Sequence, residues 1–145
     1  MDKRIFTYLV GLMGSAVSAL FGGWSASLTT LVIFMCLDYL TGLIVAGVFH
    51  NSPKTATGAL ESRAGVKGLF RKFTMMIFVL IGYRLDIVSG SNFIRDAVCI
   101  TFIANETISI VENAGLMGIP IPSAIRKAVD LLNEKAEVTP HDVHS

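Results

Sequence analysis

One uncharged stretch decides the fold: IFTYLVGLMGSAVSALFGGWSASLTTLVIFMCL, residues 5–37. A helix rises about 1.5 Å per residue, so roughly 20 apolar residues cross the roughly 30 Å hydrocarbon layer of a bilayer. The stretch is longer than that and has one break, at residues 22–25, where two glycines precede Trp24. Glycines and an interfacial tryptophan are typical of a tight turn at a membrane surface. Two membrane helices are therefore predicted, at about residues 5–23 and 28–49.

Composition supports a membrane protein, because 52% of the 145 residues are hydrophobic and only 16% are charged. A single soluble domain of this length does not need so much apolar surface. Two further apolar windows lie at about residues 69–87 and 93–111. Their facing ends carry charges that resist entering lipid, which leaves a re-entrant or interfacial hairpin as an alternative to two more crossings. The sequence predicts an all-α integral membrane protein with three or four transmembrane helices in residues 1–118, four being favoured over two plus a hairpin.

The connection at residues 50–72 is strongly basic and has only Glu61 as an acidic residue. Its cations are Lys54, Arg63, Lys67, Arg71 and Lys72. Short positive loops stay in the cytoplasm, so this loop is predicted to be cytoplasmic, and counting crossings puts both termini on the same side. Lys3 and Arg4 near the N-terminus agree with that orientation. Together with the apolar run they also resemble a secretory signal, but the run reaches Phe21 and is longer than a usual signal core, so a retained first helix is predicted.

The C-terminal part is predicted to leave the membrane. Two prolines in residues 119–122 stop a membrane helix, and residues 119–135 contain a short amphipathic cytoplasmic helix with apolar residues at helical spacing. Residues 136–145 are predicted to be disordered. The histidines of that tail, His141 and His144, make a poor metal site, so no metal is assigned.

Asp38 is the first candidate functional residue, because a carboxylate near the middle of a membrane helix is costly unless it is paired, protonated or in water. Thr41 and Gly42, one turn on, share its face and offer a small polar strip. The functional interpretation is a pore-lining or assembly residue. The plainer alternative, a hydrogen bond inside one protomer's bundle, has equal weight.

The fourth window carries a second set of polar residues. Asn105, Ser109 and Glu112 form a stripe at helical spacing, and Glu106 and Asn113 lie seven residues apart beside it. This pattern favours hydrogen bonds between helices or a wet lumen, with a shallow interfacial helix as the alternative. In the first window, Gly11, Ser15 and Ala19 are spaced so that two helices can approach closely, which is compatible with a homo-oligomer.

No catalytic pattern is visible: the sequence has no glycine-rich phosphate loop, no nucleophile elbow and no metal-ligand spacing. The near-neutral net charge of +1 gives no global field for nucleic acid. A non-enzyme without cofactor or nucleic-acid partner is predicted.

Four motifs, in order along the chain, resemble the toxin-secretion and phage-lysis holin family, in the class that includes clostridial holins. They are DYLTGL at residues 38–43, SRAGVKGLFRK at 62–72, NETISIVEN at 105–113 and GIPIP at 118–122. The family positions map onto Asp38, Gly42, Gly65, Lys67, Gly68, Asn105, Glu106, Glu112 and Asn113. The first helix matches only in its apolar character.

The resemblance implies a phage or prophage protein of the bacterial cytoplasmic membrane that oligomerises into lesions and releases an endolysin without needing to touch it; some relatives are implicated in toxin release. Membrane lipid and further copies of the chain are the implied partners, and the basic loop offers cations for anionic headgroups, although topology control is its simpler role. Two alternatives remain open. One is a small proton-coupled transporter that uses Asp38 or Glu106. The other is a membrane scaffold or holin antagonist that forms no pore.

Overall fold

The computed structural model describes residues 2–138. Within that range the chain forms five α-helices and no strand, so the predicted all-α class is confirmed. The helices are α1 (Lys3–Leu20), α2 (Ala26–Gly47), α3 (Ser62–Ser89), α4 (Ile94–Leu116) and α5 (Ser123–Val138).

The turns form where the local sequence requires them. Gly22 and Gly23 adopt φ values of +75° and +88°, a region that side chains with a Cβ rarely enter, and α1 ends just before them. Ser25 then caps α2, because its Oγ accepts a hydrogen bond from the backbone N–H of Leu28 at 3.1 Å. Gly90, with φ of +71°, ends α3 in the same left-handed conformation.

Helices α2, α3 and α4 form an antiparallel bundle in which α4 is the central helix. Helix α4 packs against α2, α3 and α5, whereas α2 and α3 touch each other much less. The apolar core fills one half of the bundle and consists of Leu28, Leu31, Met35, Met75, Val79, Cys99 and Ile103. Its members recur at spacings of three and four residues along each helix, which is the pattern of one continuous buried face.

The outside of this bundle is also apolar. Helix α2 exposes Ile33, Leu37, Leu40 and Ile44, and α3 exposes several large hydrophobic residues, including Phe73, Ile77, Phe78 and Ile81. Helix α1 has no buried residue at all and exposes Ile5, Phe6, Leu9, Leu12 and Met13. Soluble monomers rarely leave so much contiguous apolar surface in water, so these faces are suited to lipid or to other helices.

Among the described helices, one is long and apolar enough to cross a membrane by length and composition, α2. The prediction of three or four crossings is therefore not confirmed. The reason lies in the charges: α1 begins with Lys3 and Arg4, while α3 and α4 both contain charged residues along their length.

Two predicted boundaries differ from the structure. The basic connection is shorter than the predicted loop at residues 50–72, because α3 already begins at Ser62, after Pro53 and Gly58 have interrupted the chain. Helix α5 packs along α4 and continues to Val138, into the predicted disordered tail; Leu132 reaches the apolar core. The rest of that tail, with both of its histidines, lies outside the described residues.

Candidate functional site

Three charged side chains from three helices meet in the interior of the bundle. The ammonium of Lys72 on α3 donates to Asp38 Oδ2 on α2 at 2.7 Å and also to Glu106 Oε2 on α4. Their side chains are 8%, 4% and 0% exposed, so this is a desolvated group and not a surface ion pair. These three residues are called the ion cluster below.

The helical register explains why the three residues converge. Lys72 continues the buried face of α3 that includes Met75 and Val79, at spacings of three and four. Asp38 extends the series Leu28, Leu31 and Met35 on α2 in the same way. Glu106 follows Cys99 and Ile103 on α4. Each helix therefore presents an apolar face in one half of the bundle and a charge at the same level in the other half.

Hydrogen bonds from a neutral side-chain amide join α4 to α2 beside the ion cluster. The Asn113 side-chain amide donates to Thr41 Oγ1 at 2.9 Å and to Asp38 Oδ1 at 3.3 Å. The Thr41 hydroxyl donates in turn to the Asp38 backbone carbonyl at 3.1 Å. Gly42 lies next to this contact, because a Cβ at that position would be 3.8 Å from Asn113 Nδ2. Asp38 thus receives both a cation and an amide donor.

Glu106 is less completely satisfied. Its Oε1 atom is buried and has no hydrogen-bond partner among the described residues; Arg71 Nη2 approaches it to 3.9 Å from an exposed side chain. Two carboxylates share one buried ammonium, so the ion cluster alone carries one negative charge in excess. Burying a charge is costly unless its partners satisfy it, which makes this group expensive to assemble and sensitive to the loss of its cation.

The structure separates the polar residues of α4 into two sets. Glu106 and Asn113 point inward to Asp38, while Asn105 and Glu112 are exposed and Ser109 is half-buried. The predicted stripe of Asn105, Ser109 and Glu112 therefore does not join the ion cluster as a whole. Asn105 and Glu112 lie a helical step away from the register of the apolar core, whereas Ser109 shares the inward side with Glu106 and Asn113 and its side chain reaches Asp38.

The basic residues predicted for the loop fall into an exposed group and one buried residue. Lys54, Arg63, Lys67 and Arg71 are exposed, whereas Lys72 is buried in the ion cluster. Sequence reasoning assigned Lys72 to the cytoplasmic loop and missed this role. A signal was present, because Lys72 stands three residues before Met75 and seven before Val79, on the apolar face of the same helix.

A second polar group, called the hairpin cluster, lies at the other end of the bundle and consists of Asp86, Ser91, Arg95 and Asp96. Asp86 accepts from the Ser91 hydroxyl at 2.6 Å and from the backbone N–H groups of Ile94 and Arg95, both at 2.9 Å. It therefore acts as the N-terminal cap of α4, supplied from the end of α3.

The hairpin cluster also holds the turn between α1 and α2. Arg95 Nη1 donates to the backbone carbonyl of Phe21 at 2.8 Å, and Ser27 Oγ donates to Asp96 Oδ1 at 2.9 Å. The charged residues at the facing ends of α3 and α4 therefore form hydrogen bonds with backbone groups and with each other. The described residues contain no cluster that could hold a metal ion.

Comparison with known proteins gives a consistent picture. The family model described as "Bacteriophage holin family" matches residues 15–134. An uncharacterized protein of Halalkalibacterium halodurans is 34% identical over 136 residues, covering 90% of this chain and 95% of that protein. An uncharacterized protein of Listeria innocua is 33% identical over 138 residues, covering 92% and 93%. A third, an uncharacterized 14.9 kDa protein of Clostridium perfringens, is 33% identical and covers 85% and 89%. No solved structure matches the chain significantly.

Proposed function

The chain belongs to the bacteriophage holin family, and from that premise we propose that it oligomerises in the cytoplasmic membrane of a bacterial host and forms lesions through which an endolysin leaves. The family is one of membrane proteins of phage lysis and is not an enzyme family. The observation that carries the proposal is the ion cluster, a buried charged group inside a bundle whose outer faces are apolar.

A membrane lesion needs helices that are stable in lipid while dispersed but can turn polar faces towards water when they assemble. The closed bundle meets the first requirement, because Asp38, Lys72 and Glu106 neutralise much of each other's charge away from lipid. It meets the second because the same side chains would line a wet surface if α2 and α3 separated. Asn105 and Glu112 already face outward on α4.

We propose four crossings, formed by α1 to α4, with the basic segment and both termini in the cytoplasm. The antiparallel order supports this topology: Lys54 and Lys67 lie at one end of the bundle, and the hairpin cluster, whose acids outnumber its one cation, lies at the other. The inward-facing acids of α3 and α4 do not oppose it, because they have partners within the bundle. Reporter fusions at residue 58 and at residue 22 should report opposite sides of the membrane.

Self-association is proposed to use α1. Within residues 2–138 this helix buries none of its residues, and nothing lies within 4 Å of the Cβ position at Gly11 or Gly14. An apolar helix with small residues at four-residue spacing and no buried face in the described bundle is suited to packing against another copy.

Inducible expression in bacteria tests the proposal, with membrane potential and turbidity followed with and without an endolysin that lacks a signal sequence. Abrupt depolarisation followed by clearing that requires the endolysin supports a large-lesion holin. Depolarisation without clearing indicates small pores. Neither effect at verified membrane expression contradicts the proposal and favours the transporter or scaffold.

Asp38→Asn sharpens the test. Removing one carboxylate loosens α2 from Lys72, so we expect lysis to begin earlier than in the parent at equal protein level. Asp130→Asn is the matched control, because Asp130 is an exposed carboxylate on α5, outside the ion cluster, and should leave the onset unchanged. Unchanged timing for Asp38→Asn would count against a role of the ion cluster in assembly.

A further inference from the structure

A cavity of about 590 Å³ separates α2 from α3 and is not explained by lesion formation. It lies between the second half of α2, the connecting segment 48–61 and the first half of α3. The gap exists because α2 and α3 both pack on α4 but make little contact with each other. Asp38 and Lys72 form part of its wall, so the cavity adjoins the ion cluster.

Cations dominate the polar part of this cavity. Lys54, Lys67 and Arg71 line it with exposed side chains. Within the described residues, neither lysine has a carboxylate within ion-pair distance, and Arg71 has only the 3.9 Å approach to Glu106. Glu61 is the one exposed or half-exposed acid in the lining. The ion cluster contributes one negative charge and Glu61 another, and these do not offset the three cations Lys54, Lys67 and Arg71, so the net charge at the cavity is positive.

The remaining wall is apolar. Tyr39 and Leu43 of α2 line the cavity together with Leu60 and Phe70. Tyr39 also lies against two glycines of α3: its hydroxyl would be 3.5 Å from a Cβ at Gly65, and its ring 3.9 Å from one at Gly68. The volume lies in the range of sites for organic ligands and is much larger than an inorganic phosphate requires.

The position along α3 places this cavity near a headgroup layer. Helix α3 has 28 residues, and at 1.5 Å per residue it is about 42 Å long, against roughly 30 Å of hydrocarbon. Its first turns, with Lys67, therefore extend beyond the acyl region when its apolar part is centred in the bilayer. An amphipathic cavity at that depth matches a molecule with an anionic phosphate and an apolar chain.

We propose that this cavity binds an anionic phospholipid, with the phosphate at Lys54, Lys67 and Arg71 and the upper acyl chain against Tyr39 and Phe70. The inference rests on the membrane location in the proposed function and requires no lesion. A lipid seated there would fill the gap between α2 and α3 and would act directly on the helix pair that the ion cluster joins.

Native mass spectrometry of the full-length protein released from a nonionic detergent tests the inference. The probes are dioctanoyl phosphatidylglycerol, dioctanoyl phosphatidylcholine, glycerol 3-phosphate and inorganic phosphate. We expect one saturable phosphatidylglycerol per chain, bound more tightly than any other probe. Lys67→Gln should weaken it about fivefold, the effect of one cation at a lipid surface. Arg63→Gln is the matched control, because Arg63 is an exposed cation one turn away on α3 that does not line the cavity.

Ala64→Leu provides a second variant that keeps every charge. Ala64 lines the cavity, so the larger side chain should occupy part of its volume and abolish saturable binding. Circular dichroism establishes that each variant keeps its helical content; if Ala64→Leu does not fold, the pair Lys67→Gln and Arg63→Gln still decides.

Four results would overturn the inference. Equal weakening by Arg63→Gln would indicate a diffuse basic surface. Equal binding of glycerol 3-phosphate or inorganic phosphate would indicate a soluble-anion site. Equal binding of phosphatidylcholine would show that the cavity does not select for charge, and no saturable binding would show that it holds no lipid. Depolarisation in cells is measured separately, so a lesion-forming protein without a lipid site and a lipid-binding protein without lesions give different results.

Discussion

The bundle contains two buried groups of carboxylates that are satisfied in different ways. In the hairpin cluster, Asp86 accepts from a hydroxyl and two backbone N–H groups that lie five to nine residues along the chain. In the ion cluster, Asp38 and Glu106 share Lys72, which is 34 residues from each. The first group exists wherever the α3–α4 hairpin exists. The second exists only while three helices stay together.

This difference indicates where the bundle can open. Separation of α2 from the α3–α4 pair breaks the bond from Lys72 to Asp38 and the contacts of Asn113 with α2, but leaves Asp86 capping α4. Arg95 also stays in the hairpin, although its hydrogen bond to the Phe21 carbonyl would break. The hairpin cluster therefore stays within the α3–α4 hairpin, whereas the ion cluster, together with the apolar packing of α2 on α4, joins that hairpin to α2.

Removal of the shared cation should have the largest effect. Lys72→Met leaves two carboxylates in an apolar interior without their common partner, and breaking a buried pair in this way costs about 3–5 kcal/mol. This cost is measured as the difference in unfolding free energy between the parent and the variant, both purified in detergent micelles. Lys67→Met, an exposed lysine on the same helix, is the control and should change stability by less than about 0.5 kcal/mol. Equal stability of the two variants would contradict a desolvated ion cluster.

Removing all three charges should restore most of that stability. The triple variant Asp38→Asn, Lys72→Met, Glu106→Gln has no uncompensated charge, and replacing a buried ionic group by neutral residues is often neutral or stabilising. We expect it to recover at least about half of the loss in Lys72→Met. If the triple variant is as unstable as the single one, packing of the Lys72 stem, and not its charge, accounts for the effect.

Asp86→Ala should have an intermediate effect on the hairpin cluster. It leaves the backbone N–H groups of Ile94 and Arg95 without their acceptor, and loss of a helix cap costs about 1–2 kcal/mol. The same micelle measurement applies, with Asp130→Ala on the exposed face of α5 as the control. Asp86→Asn keeps one acceptor oxygen, so its loss of unfolding free energy should lie between those of Asp86→Ala and Asp130→Ala. A loss as large as that of Lys72→Met would mean that the two clusters are not energetically distinct.

How much of this arrangement the sequence predicts depends on the range of the contacts. The break after α1 follows from Gly22 and Gly23, and the need of Asp38 for an interior partner follows from its place in an apolar helix. The identity of that partner does not follow from local pattern, because Lys72 belongs to a run of basic residues whose other members are exposed. Only the packing of α2 and α3 on α4 selects one lysine from that run.

The start of α3 shows the same limit. Pro53, Gly58 and the basic residues favour a long loop, yet the chain becomes helical at Ser62. In the structure the face of this first part of α3 lies beside Tyr39 of α2, a tertiary contact that local composition does not reveal. Local signals fix where a helix can break, whereas tertiary contacts decide where it begins.

The smallest change in unfolding free energy is expected for Glu106→Gln, which tests whether a single carboxylate matters as much as the shared cation. Glu106→Gln leaves Lys72 paired with Asp38 and replaces a carboxylate whose Oε1 atom has no hydrogen-bond partner within residues 2–138. One cation and one anion then remain, so we expect the unfolding free energy to change by less than about 1 kcal/mol, far below the effect of Lys72→Met. Asn105→Asp, an exposed change on α4 that alters charge by the same amount, is the control. A loss of about 3 kcal/mol or more for Glu106→Gln would show that both acids are required to hold Lys72 inside, and that the cluster acts as an indivisible triad.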